Sequence, residues 1–149
     1  MKKIKISIIL AAVILNVQTI LSQTVTQFPF KEGFDQETFP PTGWSTVNLG
    51  TGPSWDRNTV QSTSSPAAAH REMSSEQGDD WLITPPIQLQ SGMRYQLSFM
   101  SWMDHPFDYR ESSIWLSTGS GDPAAGGFTH LKTLTAEEAT AGQTKAPTI

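Results

Sequence analysis

The sequence predicts an all-β fold, specifically an antiparallel jelly-roll β-sandwich. Ten prolines and eleven glycines are spread through the chain after residue 22, where they interrupt any long helix. The apolar residues come in short runs between these turn residues, which is typical of strands. Residues 93–99 alternate apolar and polar side chains, as a strand with one buried face does.

The predicted strands are short and are bounded by turn residues. Pro85 ends one of them, because proline cannot donate to a β-ladder. The predicted strands are residues 44–47, 81–84, 93–103, 113–118 and 128–134. Residues 50–69 and 119–127 are predicted loops because small and turn-forming residues dominate both.

The strand at residues 93–103 has the clearest pattern. Its residues Met93, Tyr95, Leu97 and Phe99 fall on one face, which we expect to point towards a core. Residues 113–118 are its expected partner strand.

A sandwich of this kind closes with about eight strands, and the chain provides six or seven. The chain stops soon after the strand that begins at Phe128, so we expect one or two closing strands to be missing. The chain is then either part of a longer protein or completed in another way. The expected organisation is a signal peptide at residues 1–22, the sandwich at residues 27–135, and a tail or truncated remainder at residues 136–149.

The N-terminal segment predicts export. Lys2, Lys3 and Lys5 precede an apolar run at residues 6–17, and Ser22 is a small residue at a plausible cleavage point. The run is shorter than the roughly 20 residues that a membrane-spanning helix needs, which argues against an anchor. We therefore expect a secreted or cell-surface protein with no transmembrane segment after cleavage.

Charge and cysteine content exclude two classes of function. Cleavage after Ser22 removes three of the ten basic residues and none of the fourteen acidic ones, so the net charge changes from −4 to −7. Nucleic acid is an unlikely partner of an acidic chain, because phosphate contacts need clustered Lys and Arg. The absence of cysteine rules out thiol catalysis, thiolate metal sites and disulfides.

Three sequence pieces in a fixed order carry a family resemblance. They are EGFD at 32–35 with FPPTGW at 39–44, DDWLITPPI at 79–87 with YQLSF at 95–99, and Glu111 with IWLSTG at 114–119. Together they resemble the cleaved-adhesin or choice-of-anchor J domain, found in gingipain-type haemagglutinin/adhesin modules and similar to the MAM jelly roll. The resemblance spans residues 30–134, and the middle piece is the most specific.

The resemblance implies a secreted or cell-surface, non-catalytic adhesin module that binds a host protein or glycan, alone or beside other domains of a longer protein. A first alternative is a carbohydrate-binding accessory domain of a larger secreted hydrolase or peptidase. A glycosidase and a ligand-free spacer domain are further alternatives. Against catalysis, the chain has no Gly-x-Ser-x-Gly elbow, and its closest acid pairs are sequence neighbours that point to opposite faces of a strand.

Calcium is the expected cofactor. Calcium takes six to eight oxygen ligands, many of them from carboxylates near turns. The candidate ligands are Glu32, Asp35, Asp79, Asp80 and Glu111. The resemblance favours Glu32, one of the two aspartates and Glu111. Ordinary solvated acids at turns explain the same residues, so both interpretations stay open.

Ligand recognition is expected from exposed aromatic residues. Trp44 and Trp81 start strands and are predicted to fill the interior. Trp102 or Trp115 is predicted on an outer face, where an indole can stack on a sugar. Residues 104–110 form a polar, aromatic loop, a common place for recognition residues. The candidate ligand-binding residues are Trp102, His105, Phe107, Tyr109 and Trp115. The three histidines share no zinc-type spacing and are predicted to be ordinary polar residues.

Overall fold

The computed structural model describes residues 23–62, 64–102 and 112–135. This part of the chain is all-β, with six short strands and one 3₁₀ helix, Pro123–Ala125. The strands are β1 (Ser45–Asn48), β2 (Trp55–Asn58), β3 (Ala68–Arg71), β4 (Asp80–Ile83), β5 (Ser113–Ser117) and β6 (Phe128–Thr133). Within the described ranges, no helix is long and apolar enough to cross a membrane.

The strands form three antiparallel pairs, β1 with β4, β2 with β3, and β5 with β6. An isolated parallel bridge joins Val25 to Ile87. The Val25 amide donates to the Pro86 carbonyl at 2.8 Å, and the Gln88 amide donates to the Val25 carbonyl at 2.9 Å. These two bonds attach the start of the described chain to the segment that follows β4.

Two side chains hold the β2–β3 pair against β4. The Trp55 indole Nε1 donates to the Asp80 carbonyl at 3.1 Å. Arg71 Nε donates to Asp80 Oδ2 at 3.0 Å. Few apolar side chains are buried in the described residues, namely those of Val25, Pro41, Ala67, Pro85 and Leu134. Hydrogen bonds and an ion pair are therefore an important part of the contact between the β2–β3 pair and the β1–β4 pair.

The β5–β6 hairpin is closed by local turn chemistry. The Asp122 carboxylate accepts from the Ala124 amide at 2.9 Å and caps the 3₁₀ helix, which begins with proline. Gly126 and Gly127 then adopt φ values of 76° and 85°, which glycine reaches without the steric cost of a Cβ. The chain thereby turns directly from the helix into β6.

Four predicted strands are confirmed within two residues at each end. Segments 44–47, 81–84, 113–118 and 128–134 correspond to β1, β4, β5 and β6. The proline and glycine signals that bound them agree with the observed ends.

The predicted strand at residues 93–103 is wrong over its described part, residues 93–102, which form no ladder. Met93 and Leu97, predicted to face a core, are 63 % and 43 % exposed. The physical reason is that β5, the expected partner strand, pairs instead with β6, the next strand along the chain. Alternating side chains define a face, but a strand also needs a neighbouring backbone to bond.

The predicted loop at residues 50–69 is also partly wrong, because it contains β2 and the start of β3. The β2 sequence WDRN has no apolar alternation, so periodicity does not reveal it. Contacts with distant residues stabilise it instead. Arg57 donates from Nε to the Phe34 carbonyl at 3.2 Å and from Nη2 to the Asp35 carbonyl at 3.0 Å.

Candidate functional site

The two candidate metal ligands near the start of the chain have local roles. Glu32 is half-buried, and its Oε1 accepts from the Phe34 amide at 2.6 Å. Asp35 is exposed, and its carbonyl accepts from Arg57. Glu32 also lines an open cavity of about 330 Å³ whose wall includes Thr24 and Gln36. The two acids shape the loop before β1.

Asp79 and Asp80 are adjacent but their side chains have different surroundings. Asp79 is exposed, and its Oδ1 accepts from the Trp81 indole Nε1 at 2.7 Å. The Asp80 side chain is only 4 % exposed and forms an ion pair with Arg71. Asp80 is the first residue of β4 and Asp79 precedes it, and the two side chains have opposite environments, one outside and the other inside.

The ion pair of Asp80 lies in a tight space between loops. Arg71 Nη2 is 2.9 Å from Asp80 Oδ2 without hydrogen-bond geometry, and Asp80 Oδ1 is buried without a hydrogen-bond partner. A Cβ on Gly78 would lie 2.5 Å from Nη2, and one on Gly52 would lie 2.9 Å from it. Glycine at these two positions therefore makes room for the guanidinium.

The four described acids do not gather into a metal site. Among the described residues, no group of three His, Asp or Glu side chains is placed to hold an ion. Asp80 is already neutralised by Arg71, which disfavours a second cation beside it. The fifth candidate ligand, Glu111, lies outside the described residues. Calcium binding stays a prediction, and the described residues alone do not fit it.

The aromatic cluster is the most distinctive surface of the described chain. It consists of Trp81 on β4, Trp115 on β5, and Phe128 and His130 on β6. The Trp81 ring centre lies 5.7 Å from that of Trp115 and 5.0 Å from that of Phe128. His130 meets Trp115 edge-to-face at 4.9 Å. Trp115 nevertheless stays 41 % exposed.

A β-bulge sets the geometry of this cluster. Ile114 pairs with Lys132 but Trp115 pairs with His130, so Leu131 is an extra residue in β6. Bulges bend a strand and redirect its side chains. The shift places His130 beside Trp115.

A line of polar groups lies along the same face of the hairpin. Ser113 Oγ is 3.1 Å from Thr133 Oγ1, and Thr133 Oγ1 is 2.9 Å from His130 Nε2. Ser113 and Trp115 are two residues apart on β5 and so share a face. The Asp79 carboxylate is bonded to the Trp81 indole, another member of the cluster. Polar groups therefore accompany the aromatic rings of the cluster.

The predicted ligand-binding residues are only partly brought together. Trp115 is exposed within the aromatic cluster, and Trp102 is exposed in the segment before residue 103. His105, Phe107 and Tyr109 lie outside the described residues.

Sequence reasoning missed three members of the aromatic cluster. Trp81 was expected in the interior, His130 was interpreted as an ordinary polar residue, and Phe128 was placed on a strand without a binding role. Two-residue spacing places Phe128 and His130 on one face of β6. Their meeting with Trp115 depends on the bulge, which the sequence pattern does not reveal.

The chain was compared with protein-family models, with curated proteins and with solved structures. None of the three comparisons finds a match. The chain's own residues and the resemblance carried by its three motifs are therefore what bear on its function.

Proposed function

We propose that the chain is a secreted or cell-surface adhesin module, non-catalytic and built on a jelly-roll sandwich, that binds a host protein or glycan through the aromatic cluster. The observation that carries the proposal is Trp115, which is 41 % exposed although the rings of Trp81 and His130 pack against it. The basic and apolar N-terminal segment and the three adhesin-like motifs support export and the choice of family.

The exposed part of the Trp115 indole can contribute to the free energy of ligand binding. A tryptophan side chain can bury up to about 250 Å². With 41 % of it exposed, roughly 100 Å² remains available to a ligand. At about 25 cal/mol per Å², covering it contributes at most about 2.5 kcal/mol, before the entropic cost of association is subtracted.

A non-catalytic role is supported by the engagement of the described acids. Hydrolysis of a glycoside needs two carboxylates on either side of one bond. Asp79 bonds the Trp81 indole, whereas Asp80 is buried against Arg71. The closest acid pair in the described chain is thus separated onto two faces and engaged by other groups.

The alternative is a carbohydrate-binding accessory domain of a larger secreted hydrolase or peptidase. The hydroxyls of Ser113 and Thr133 beside Trp115 favour it, because sugars need hydroxyl partners. Binding to one polysaccharide alone, rather than to host surfaces, would favour this alternative over the adhesin.

The test is adhesion by the full chain displayed at high density on beads, with erythrocytes and epithelial cells as targets. Dense display raises the avidity of weak contacts. Beads carrying the wild type should bind or agglutinate cells, and beads carrying Trp115→Ala should not. Leu116→Ala is the matched control, because Leu116 is the next residue, is 46 % exposed and points to the opposite face. Wild-type beads that bind no better than bare beads would refute the proposal.

A further inference from the structure

We infer that the aromatic cluster binds a neutral pyranose-containing glycan, with one sugar ring stacked on Trp115. This inference rests on the proposed function, since it names the ligand class of the same surface. It follows from the fixed orientation of the indole, the polar groups beside it, the local charge and the size of the exposed surface.

The Trp115 ring is held in place before any ligand arrives. Trp81 packs against it with the ring planes at 49°, and His130 meets it at 75°. The bulge in β6 fixes His130 in this position. A side chain that is already ordered loses little conformational entropy on binding. The exposed indole is therefore a prepared platform for the apolar face of a sugar ring.

The polar groups next to the platform match the needs of a sugar. The hydroxyls of Ser113 and Thr133 each donate and accept hydrogen bonds, as sugar hydroxyls do. Thr133 also contacts His130 Nε2, so these groups form a connected line. The exposed Asp79 carboxylate adds strong acceptors near Trp81. A ligand that stacks on Trp115 meets donors and acceptors on the same face of the hairpin.

The charge around the cluster selects a neutral glycan over an anionic one. Asp79 is the carboxylate attached to the cluster through the Trp81 indole. Lys132 pairs with Ile114, the neighbour of Trp115, and so belongs to the opposite face of the hairpin. The negative charge of Asp79 would repel sialylated and sulfated glycans, which disfavours them.

The size of the surface favours a glycan over a folded protein. Trp115 offers roughly 100 Å², and a stable protein partner covers about 800 Å² on each side. The surface therefore suits a ligand that makes a few close contacts.

The experiment titrates the purified full chain with soluble oligosaccharides, followed by tryptophan fluorescence and saturation-transfer NMR. The neutral probes are lactose, N-acetyllactosamine, maltotriose and cellotriose. The anionic probes are sialyllactose and a heparin tetrasaccharide. At least one neutral probe should bind, and more tightly than either anionic one.

Three variants locate the binding site. Trp115→Ala should weaken binding by about tenfold or more, equivalent to about 1.4 kcal/mol. Thr133→Val keeps the side-chain shape and removes the hydroxyl, so it should weaken binding by a smaller factor. Leu116→Ala should bind as the wild type does. Because Trp115→Ala also removes packing, its thermal melt and circular-dichroism spectrum are compared with those of Leu116→Ala. If Trp115→Ala unfolds, Thr133→Val provides a second test of the binding site.

Several results would overturn the inference: no neutral probe binds, the anionic probes bind best, or Trp115→Ala and Thr133→Val both bind as tightly as the wild type. If the displayed chain adheres to cells through Trp115 but binds no neutral probe, the ligand class is wrong and the adhesin proposal stands. If neither adhesion nor glycan binding occurs, both are wrong.

Discussion

Replacing Arg71 with methionine should cost the fold more than any exposed charge replacement in the described chain. Arg71 is the counterion of Asp80, whose side chain is 4 % exposed. Methionine keeps an apolar stem of similar length and removes the charge. The Asp80 carboxylate would then be buried with neither Arg71 nor solvent beside it. Breaking a buried ion pair in this way costs about 3–5 kcal/mol.

The matched control is the preceding residue. His70 Nδ1 on β3 lies 2.8 Å from Asp56 Oδ1 on β2, but Asp56 is exposed. An exposed pair contributes about 0–1 kcal/mol, so His70→Ala should be nearly neutral. Small domains have a free energy of unfolding of about 5–15 kcal/mol, so only Arg71→Met should shift the urea midpoint strongly.

The assay is urea unfolding followed by far-ultraviolet circular dichroism and tryptophan fluorescence. The two signals should change together, and the free energy of unfolding follows from linear extrapolation. A double variant, Arg71→Met with Asp80→Leu, should be more stable than Arg71→Met alone, because no buried charge is left without a partner. The reasoning fails if Arg71→Met is destabilised no more than His70→Ala.

Three further predictions concern the turns, calcium and export. Gly50→Ala should destabilise the fold by about 1–3 kcal/mol, because its Cβ would lie 2.7 Å from the Asp79 amide nitrogen. Gly119→Ala is the control: its Cβ would meet open space, so it should be near neutral in the same urea assay. Calcium at about 100 times its Kd should raise the free energy of unfolding by about 2.7 kcal/mol, measured as a higher melting temperature with calcium than with chelator. Glu111→Gln should reduce that shift. Equal melting temperatures with calcium and with chelator would count against a calcium site. Mass spectrometry of the exported protein should show cleavage after Ser22, and an intact N-terminus would contradict the signal peptide.

The strands that the sequence predicted well share a local cause. Each is a short apolar run next to a proline, a glycine or another turn residue, as in β4, which Pro85 follows closely. The β5–β6 hairpin is local as well, since Asp122 and the glycines after it determine the turn. Where the information is local in the chain, the pattern is enough to place a strand within two residues of its observed ends.

Distant contacts explain both β2, which the sequence pattern did not predict, and the predicted strand at residues 93–103, which was wrong over its described part. β2 has no apolar alternation and is held by Arg57, which reaches the carbonyls of residues 34 and 35, and by the Trp55 indole. The segment at residues 93–102 has the alternation but no paired backbone. Tyr95 packs instead on Phe28, with ring centres 5.0 Å apart, and its hydroxyl accepts from the Gln90 amide.

The candidate site also depends partly on a local pattern and partly on distant contacts. Trp102 or Trp115 was predicted on an outer face, and both residues are exposed. The neighbours of Trp115 come from β4 and β6, and a single extra residue in β6 decides which side chain meets it. A pattern of two-residue spacing cannot reveal a bulge, because a shift of one residue moves a side chain to the other face.

The two adjacent aspartates connect the stability of the fold to the candidate site. Asp80 holds β4 to β3 through Arg71, and Asp79 holds the indole of Trp81, which in turn packs on Trp115. Both acids lie within two residues of Trp81, so its position depends on the same short strand that the buried ion pair anchors. The orientation of the Trp115 platform is therefore linked through one strand to the ion pair. A variant that breaks the ion pair should loosen the aromatic cluster, whereas Leu116→Ala, on the opposite face, should leave it intact.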